Sequence, residues 1–139
     1  MTAPALPPEA TPAAQGATAA RDNLVVRFWL HAEGLAAFAA GTLLYFQSGG
    51  DGLLFLPVLL LPDVGLLGYL RGSRIGAFTY DLVHNWAIGL AMLGAGLALA
   101  SNPLLLAGAI LIAHVGMDRA VGYGLKYPGG AKITHLQRV

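Results

Sequence analysis

The chain has 139 residues, room for one compact domain and no more. Apolar residues make up 56%, charged residues only 11%, and the mean hydropathy is +0.64, whereas a soluble domain is about 25% charged; the composition points to an integral membrane protein. A net charge of +1 offers no basis for a nucleic-acid partner, and the lack of cysteine excludes disulfides, thiolate metal sites and cysteine nucleophiles.

Residues 1–23 are rich in Ala, Pro and Thr and have no hydrophobic period, which predicts a disordered cytoplasmic tail. The stretch has neither the basic start nor the apolar run of a signal peptide. Residues 24–139 read as one all-α transmembrane domain, a four-helix bundle with helices over 25–46, 53–70, 75–100 and 103–121. Each run reaches or approaches the roughly 20 residues a helix needs to cross hydrocarbon. The second is shortest and contains Pro57 and Pro62, which predicts a kink or tilt. Residues 122–139 are Gly-rich and polar and are expected at the cytoplasmic surface.

Basic residues set the orientation. Arg21, Arg27, Arg71, Arg74, Arg119, Lys126, Lys132 and Arg138 all fall on one side of a four-span topology, while the loops 47–52 and 101–103 contain none. That side is predicted to be cytoplasmic, with both termini on it. Ala32, Ala36 and Ala40, and likewise Ala87, Ala91 and Ala95, recur every four positions. Small residues allow the close approach that holds helices together in lipid, so these stripes are the expected helix contacts.

Ionisable side chains interrupt the apolar runs at His31, Glu33, Asp63, Asp81, His84, His114 and Asp118. A carboxylate near the bilayer centre costs roughly 2.5–3.5 kcal/mol on insertion scales, so something should offset it. At α-helical rise, Asp63, His84 and His114 lie about 12–13 Å from the cytoplasmic helix ends, Glu33 about 9 Å and Asp118 about 6 Å. Asp81, His84 and Asn85 share a helix face, as do His114 and Asp118. The expectation is one polar cavity in the cytoplasmic half, built from Glu33, Asp63, Asp81, His84, His114 and Asp118.

Several segments also have a familiar look: Ala32-Glu33-Gly34, Leu61-Pro62-Asp63 with Leu67-Gly68-Tyr69-Leu70, and Tyr80-Asp81-Leu82-Val83-His84. The most specific is His114-Val115-Gly116-Met117-Asp118-Arg119, followed by Gly122-Tyr123-Gly124-Leu125-Lys126-Tyr127 and Thr134-His135-Leu136. Together they resemble the DUF4260 family of small bacterial multi-pass membrane proteins, over nearly everything after residue 27. The resemblance implies residence in the bacterial cytoplasmic (inner) membrane and supplies no reaction.

Three functions fit the ionisable cluster. In the first, Asp63, His84, His114 and Asp118 ligate a divalent metal such as Zn, Fe or Mn, and Glu33 or Asp81 carries protons. A metal in a cytoplasm-facing cavity would activate water against a lipid-like substrate, making the chain a membrane-embedded hydrolase. In the second, the same groups relay protons or cations across the bilayer, which four helices would do as a homodimer. In the third, the charges pair with one another and with Arg119 or Lys126, and the chain is a structural or accessory subunit.

Two motifs are set aside. Val121-Gly122-Tyr123-Gly124 spells the core of a potassium filter but has no helix after it. The Gly72–Gly76 spacing belongs to a loop entering a helix. Tyr123, Lys126 and Tyr127 read as an interfacial anchor, or as part of a segment that folds back and carries His135 under the cavity.

Overall fold

A computed structural model describes residues 12–129 and 134–137, with side chains from residue 23 onward. The fold is all-helical, and among the described residues the only extended pairing is an isolated bridge between Lys126 and Thr134. The four helical runs of the sequence reappear, two of them broken. Helix α1 spans Pro12–Gln47 and α2 Gly52–Leu59; a 3-10 segment follows over Leu61–Arg71. Then come α3 (Ser73–Val83), α4 (Trp86–Ala98), α5 (Asn102–Val121) and a short 3-10 turn at His135–Gln137.

The first helix starts well before the apolar run. Residues 12–23 were expected in a disordered tail, yet α1 is continuous from Pro12. A proline at the first helical position costs no hydrogen bond, and the Ala-rich stretch behind it has high helix propensity. At 36 residues α1 is about 54 Å long. Residues 1–11 of the expected tail, and Lys132 and Arg138 of the charge pattern, lie outside the described residues.

The predicted second helix changes type at Pro62. Asp51 caps α2, its Oδ1 accepting from the Leu53 and Leu54 amides at 2.7 and 3.1 Å. Pro62 has no amide hydrogen to continue an α-helical ladder, and the chain tightens into a 3-10 segment of 11 residues. The Thr79 hydroxyl donates to the Gly65 carbonyl at 2.8 Å and ties this segment to α3. Because 3-10 rise is about 2.0 Å per residue, Asp63 lies about 16 Å from Arg71, deeper than α-helical spacing predicts.

The predicted third helix is also two. It stops at Val83, and Asn85 caps α4 by accepting from the Ile88 amide at 3.3 Å. The Asn85 side-chain amide turns back and donates to the Asp81 and Leu82 carbonyls, each at 2.8 Å. One side chain therefore serves both ends of the break, and His84 occupies it.

Helix α5 is the central rod. Its Gly108, Ala109, Ala113 and Gly116 are buried, with α1 on one side and α4 on the other. The contacts are glycines seven residues apart rather than the expected alanines. A Cβ at Gly34 would stand 2.6 Å from the Ala120 amide nitrogen, and one at Gly41 2.6 Å from that of Ala113. On α4, a Cβ at Gly96 would stand 2.7 Å from the Leu105 nitrogen. Ala36, Ala40, Ala87 and Ala91 are exposed. These pairings make α1 and α4 antiparallel to α5, and Gly65 against Thr79 does the same for the 3-10 segment and α3.

Large apolar side chains cover the outer faces, including Leu53 at 89% exposure, Leu70 at 85% and Leu97 at 73%. Soluble monomers rarely show such contiguous apolar surface. Two helical stretches, Gly52–Arg71 and Asn102–Val121, are long and apolar enough to cross a membrane by length and composition.

Candidate metal centre

The break after α3 delivers His84 to α5. Its Nδ1–H donates to the Tyr80 carbonyl at 2.8 Å, which leaves the lone pair on Nε2 and aims it inward. The His84 ring also stacks on Tyr80, with centroids 3.5 Å apart. A histidine whose second nitrogen is held by a carbonyl has the usual arrangement of a metal ligand. His114, fully buried on α5, places its Nε2 2.9 Å from His84 Nε2. Its Nδ1 is buried with no hydrogen-bond partner.

Asp63 enters from the start of the 3-10 segment. Its Oδ1 lies 3.5 Å from His84 Nε2 and 3.7 Å from His114 Nε2. The three ligand atoms fall within 4.8 Å of one another, close enough to share one ion. With metal bonds of about 2.0–2.2 Å, these separations subtend angles of about 90° to 125°. Three N and O donors at those angles fit one coordination face of a first-row metal, with further positions left for water.

Asp118 stands at the rim. Its Oδ2 lies 3.6 Å from His84 Nε2 and accepts from the Tyr80 hydroxyl at 2.6 Å. Tyr80 thus organises the cluster three ways: its carbonyl sets the His84 tautomer, its ring carries the imidazole, and its hydroxyl holds Asp118. Sequence reasoning passed over Tyr80, although its spacing of four residues from His84 was a readable signal. Of the four expected ligands, Asp63, His84 and His114 converge, and Asp118 is tied to Tyr80.

Glu33 and Asp81 are elsewhere, which corrects the expectation of one six-residue cavity. Glu33 is exposed on α1, and its charge faces Arg119. Asp81 accepts the Lys126 amide hydrogen at 2.7 Å and anchors the segment after α5. Asp81, still within α3, turns to the Lys126 amide while the break turns His84 towards α5, and Glu33 belongs to a helix whose buried stripe runs through Gly34 and Gly41.

The segment after α5 does fold back. Gly122, at φ 95°, ends the helix in the left-handed region, and the Tyr123 amide closes on the Asp118 carbonyl at 2.7 Å. Lys126 Nζ then sits 4.1 Å from the Tyr80 ring centre and 5.7 Å from that of Tyr69. Burial pushes the Lys126 ammonium below its usual pKa, while Asp118, Asp63 and Asp81 push it back up. The His135 amide donates to the Leu125 carbonyl at 3.1 Å, and Arg119 Nη1 donates to His135 Nε2 at 3.4 Å. His135 joins Arg119 rather than the ligand cluster; burial and then the Arg119 charge push its pKa below the ordinary value.

The family described as a domain of unknown function (DUF4260) matches residues 27–139. The chain belongs to that family. No curated protein and no solved structure matches it.

Proposed function

We propose that this DUF4260 protein is a multi-pass protein of the bacterial cytoplasmic membrane that binds a divalent metal through Asp63, His84 and His114 and hydrolyses an ester bond in a lipid-like substrate. The observation that carries the reading is the convergence of three ligand atoms within 4.8 Å, two of them on buried histidines. Coordination would offset the cost of placing these groups in an apolar interior. The exposed leucines and the two span-length helices support residence in a bilayer. The one-sided Lys and Arg distribution supports cytoplasmic termini, with the cluster in the cytoplasmic half.

Zinc, iron or manganese held by three protein ligands keeps positions free for water and lowers its pKa towards neutrality. A metal held by Asp63, His84 and His114 would supply activated water for ester hydrolysis, with an acid and an alcohol as products. The water's proton would then pass to the leaving alkoxide. Asp118, hydrogen-bonded to Tyr80 and 3.6 Å from His84, is the nearest described carboxylate outside the three proposed ligands for that transfer.

Elemental analysis of the detergent-purified protein tests the reading. About one equivalent of metal is expected, lost in His84→Ala and His114→Ala, with ester hydrolysis in lipid vesicles lost alongside. Metal-free protein that stays folded and gains no thermal stability from zinc, manganese or iron sinks it. In that event the 2.9 Å imidazole pair supports the structural reading, with His114 Nε2–H donating to His84. A pH-dependent cation flux in metal-free vesicles would instead favour transport.

A further inference from the structure

The Lys126 ammonium lies beside the ligand cluster, and its hydrogen-bond donors are unspent. Its Nζ is 4.1 Å from the Tyr80 ring centre, and His84 stacks on the same ring with centroids 3.5 Å apart. An imidazole that close fills one face of the ring, so the ammonium takes the other. The charges of Asp118, Asp63 and Asp81 all act on it. Each of those carboxylates has other company: Asp118 the Tyr80 hydroxyl, Asp81 the Lys126 amide, and Asp63 the two histidines. Among the described residues, no carboxylate comes within ion-pair distance of Lys126 Nζ. The ammonium is also held in place. Its own amide is bound to Asp81 at 2.7 Å, its backbone pairs with Thr134, and the His135 amide closes on the Leu125 carbonyl at 3.1 Å. Lys126 is half-buried, next to Asp63, the most exposed of the proposed ligands.

We infer that Lys126 receives the phosphate of a glycerophospholipid from the cytoplasmic leaflet, whose ester is thereby presented to the ligand cluster. The order of depth supports it. Tyr80 lies four residues nearer the start of α3 than His84, about 6 Å at α-helical rise. The Lys and Arg distribution supports a cytoplasmic start for α3, which puts the ammonium shallower than His84, across the Tyr80 ring. A phospholipid of that leaflet has the same order: phosphate outermost, ester carbonyls a few bonds deeper, hydrocarbon towards the midplane. A neutral ester would leave the ammonium donors unmet. A phosphate oxygen satisfies them with charge-assisted hydrogen bonds, and basic sites on the cytoplasmic side of membrane helices are suited to such head groups. The assignment of a substrate rests on the proposed metal site; the phosphate contact itself uses none of the three ligands.

The test titrates the full chain, metal-free in an uncharged detergent, with dihexanoyl phosphatidic acid and follows binding by calorimetry. Saturable binding is expected, weakened about tenfold or more in Lys126→Gln and largely restored in Lys126→Arg. If Lys126→Gln does not fold, Lys126→Met, which keeps the apolar stem on Tyr80, takes its place. Arg74→Gln, on the same basic side of the molecule, should bind as the wild type does. Dihexanoylglycerol, which lacks the phosphate, should not compete. Inorganic phosphate should bind at least about tenfold more weakly than the lipid; equal affinity overturns the lipid assignment, because free phosphate would then be the ligand. Unchanged affinity in Lys126→Gln overturns the inference. So does an equal loss in Arg74→Gln, which would mark general attraction to a basic surface. His84→Ala separates the two readings: it should lose metal and keep the Lys126-dependent binding. Bound metal without that binding sinks the phosphate contact alone, and that binding without metal leaves a phospholipid-binding protein that is not a hydrolase.

Discussion

His84 and His114 face one another through their Nε2 atoms at 2.9 Å, although 30 residues separate them. The Tyr80 carbonyl holds the His84 Nδ1 proton, so the His84 Nε2 carries a lone pair. His114 must either donate into it or share a cation with it. The proposed metal would select the second state, with both Nε2 lone pairs available to it and the His114 proton on Nδ1, which has no partner among the described residues.

Asp63 is the most exposed of the three proposed ligands, its side chain 40% exposed against 2% for His84 and 0% for His114. Asp63→Ala should therefore leave the fold intact while removing metal, measured as loss of the zinc-dependent rise in melting temperature. At a metal concentration about 100 times Kd, the wild type should gain about 2.7 kcal/mol. An equal gain in the variant would remove Asp63 from the ligand set.

Tyr80→Phe keeps the stacked ring and the carbonyl but leaves Asp118 without its hydroxyl donor. The expected cost is about 1.5–3 kcal/mol, since the bond is to a charged acceptor. Metal affinity should fall about 10–100-fold, the usual effect of disturbing a group outside the ligand shell. Titration of the metal-free protein would reveal an unchanged affinity if Tyr80 did not position the cluster.

Asp81 separates a proton carrier from an anchor. If its work is to accept the Lys126 amide hydrogen, Asp81→Asn retains an oxygen acceptor and should behave like the wild type. Asp81→Ala should loosen the segment after Gly122, read as faster tryptic cleavage at Lys126. A large loss of activity in Asp81→Asn with normal proteolysis would restore the catalytic role.

Gly41→Val should be among the most damaging substitutions outside the cluster. The new Cβ would lie 2.6 Å from the Ala113 nitrogen and 2.7 Å from the Ala109 carbonyl, against backbone that cannot move aside. Overpacking of this kind costs about 1–3 kcal/mol or more. Stability in detergent should fall accordingly, whereas Ala40→Val on the exposed side should change little.

His135 gives a pH signature. Its folded pKa lies below the ordinary 6.5 through burial and the Arg119 charge, so the folded state favours the neutral ring. The unfolded chain then binds more protons in acid. His135 therefore adds stability that is present above about pH 6.5 and is lost as pH falls through the lower folded value. Melting temperatures at about pH 8 and about pH 5 should differ less in His135→Gln than in the wild type. An equal difference in both would show that His135 does not titrate across folding.

The residues by themselves determined the helical character and the four apolar runs, because run length is a local property of the chain, and they singled out Asp63, His84 and His114 as ionisable groups within those runs. They also marked Pro62 as a disturbance, though not its outcome as a 3-10 segment. The tertiary structure decided which ionisable groups meet. Direction around a helix axis depends on where the helix breaks: the break at His84–Asn85 turns His84 towards α5, whereas Asp81, still inside α3, meets the Lys126 amide. It also decided the contact faces: alanine spacing on α1 and α4 suggested two stripes, but backbone approach at Gly41 and Gly96 is closer than any side chain permits, so glycine faces α5, while Ala36, Ala40, Ala87 and Ala91 face outward and Ala32 and Ala95 are half-buried.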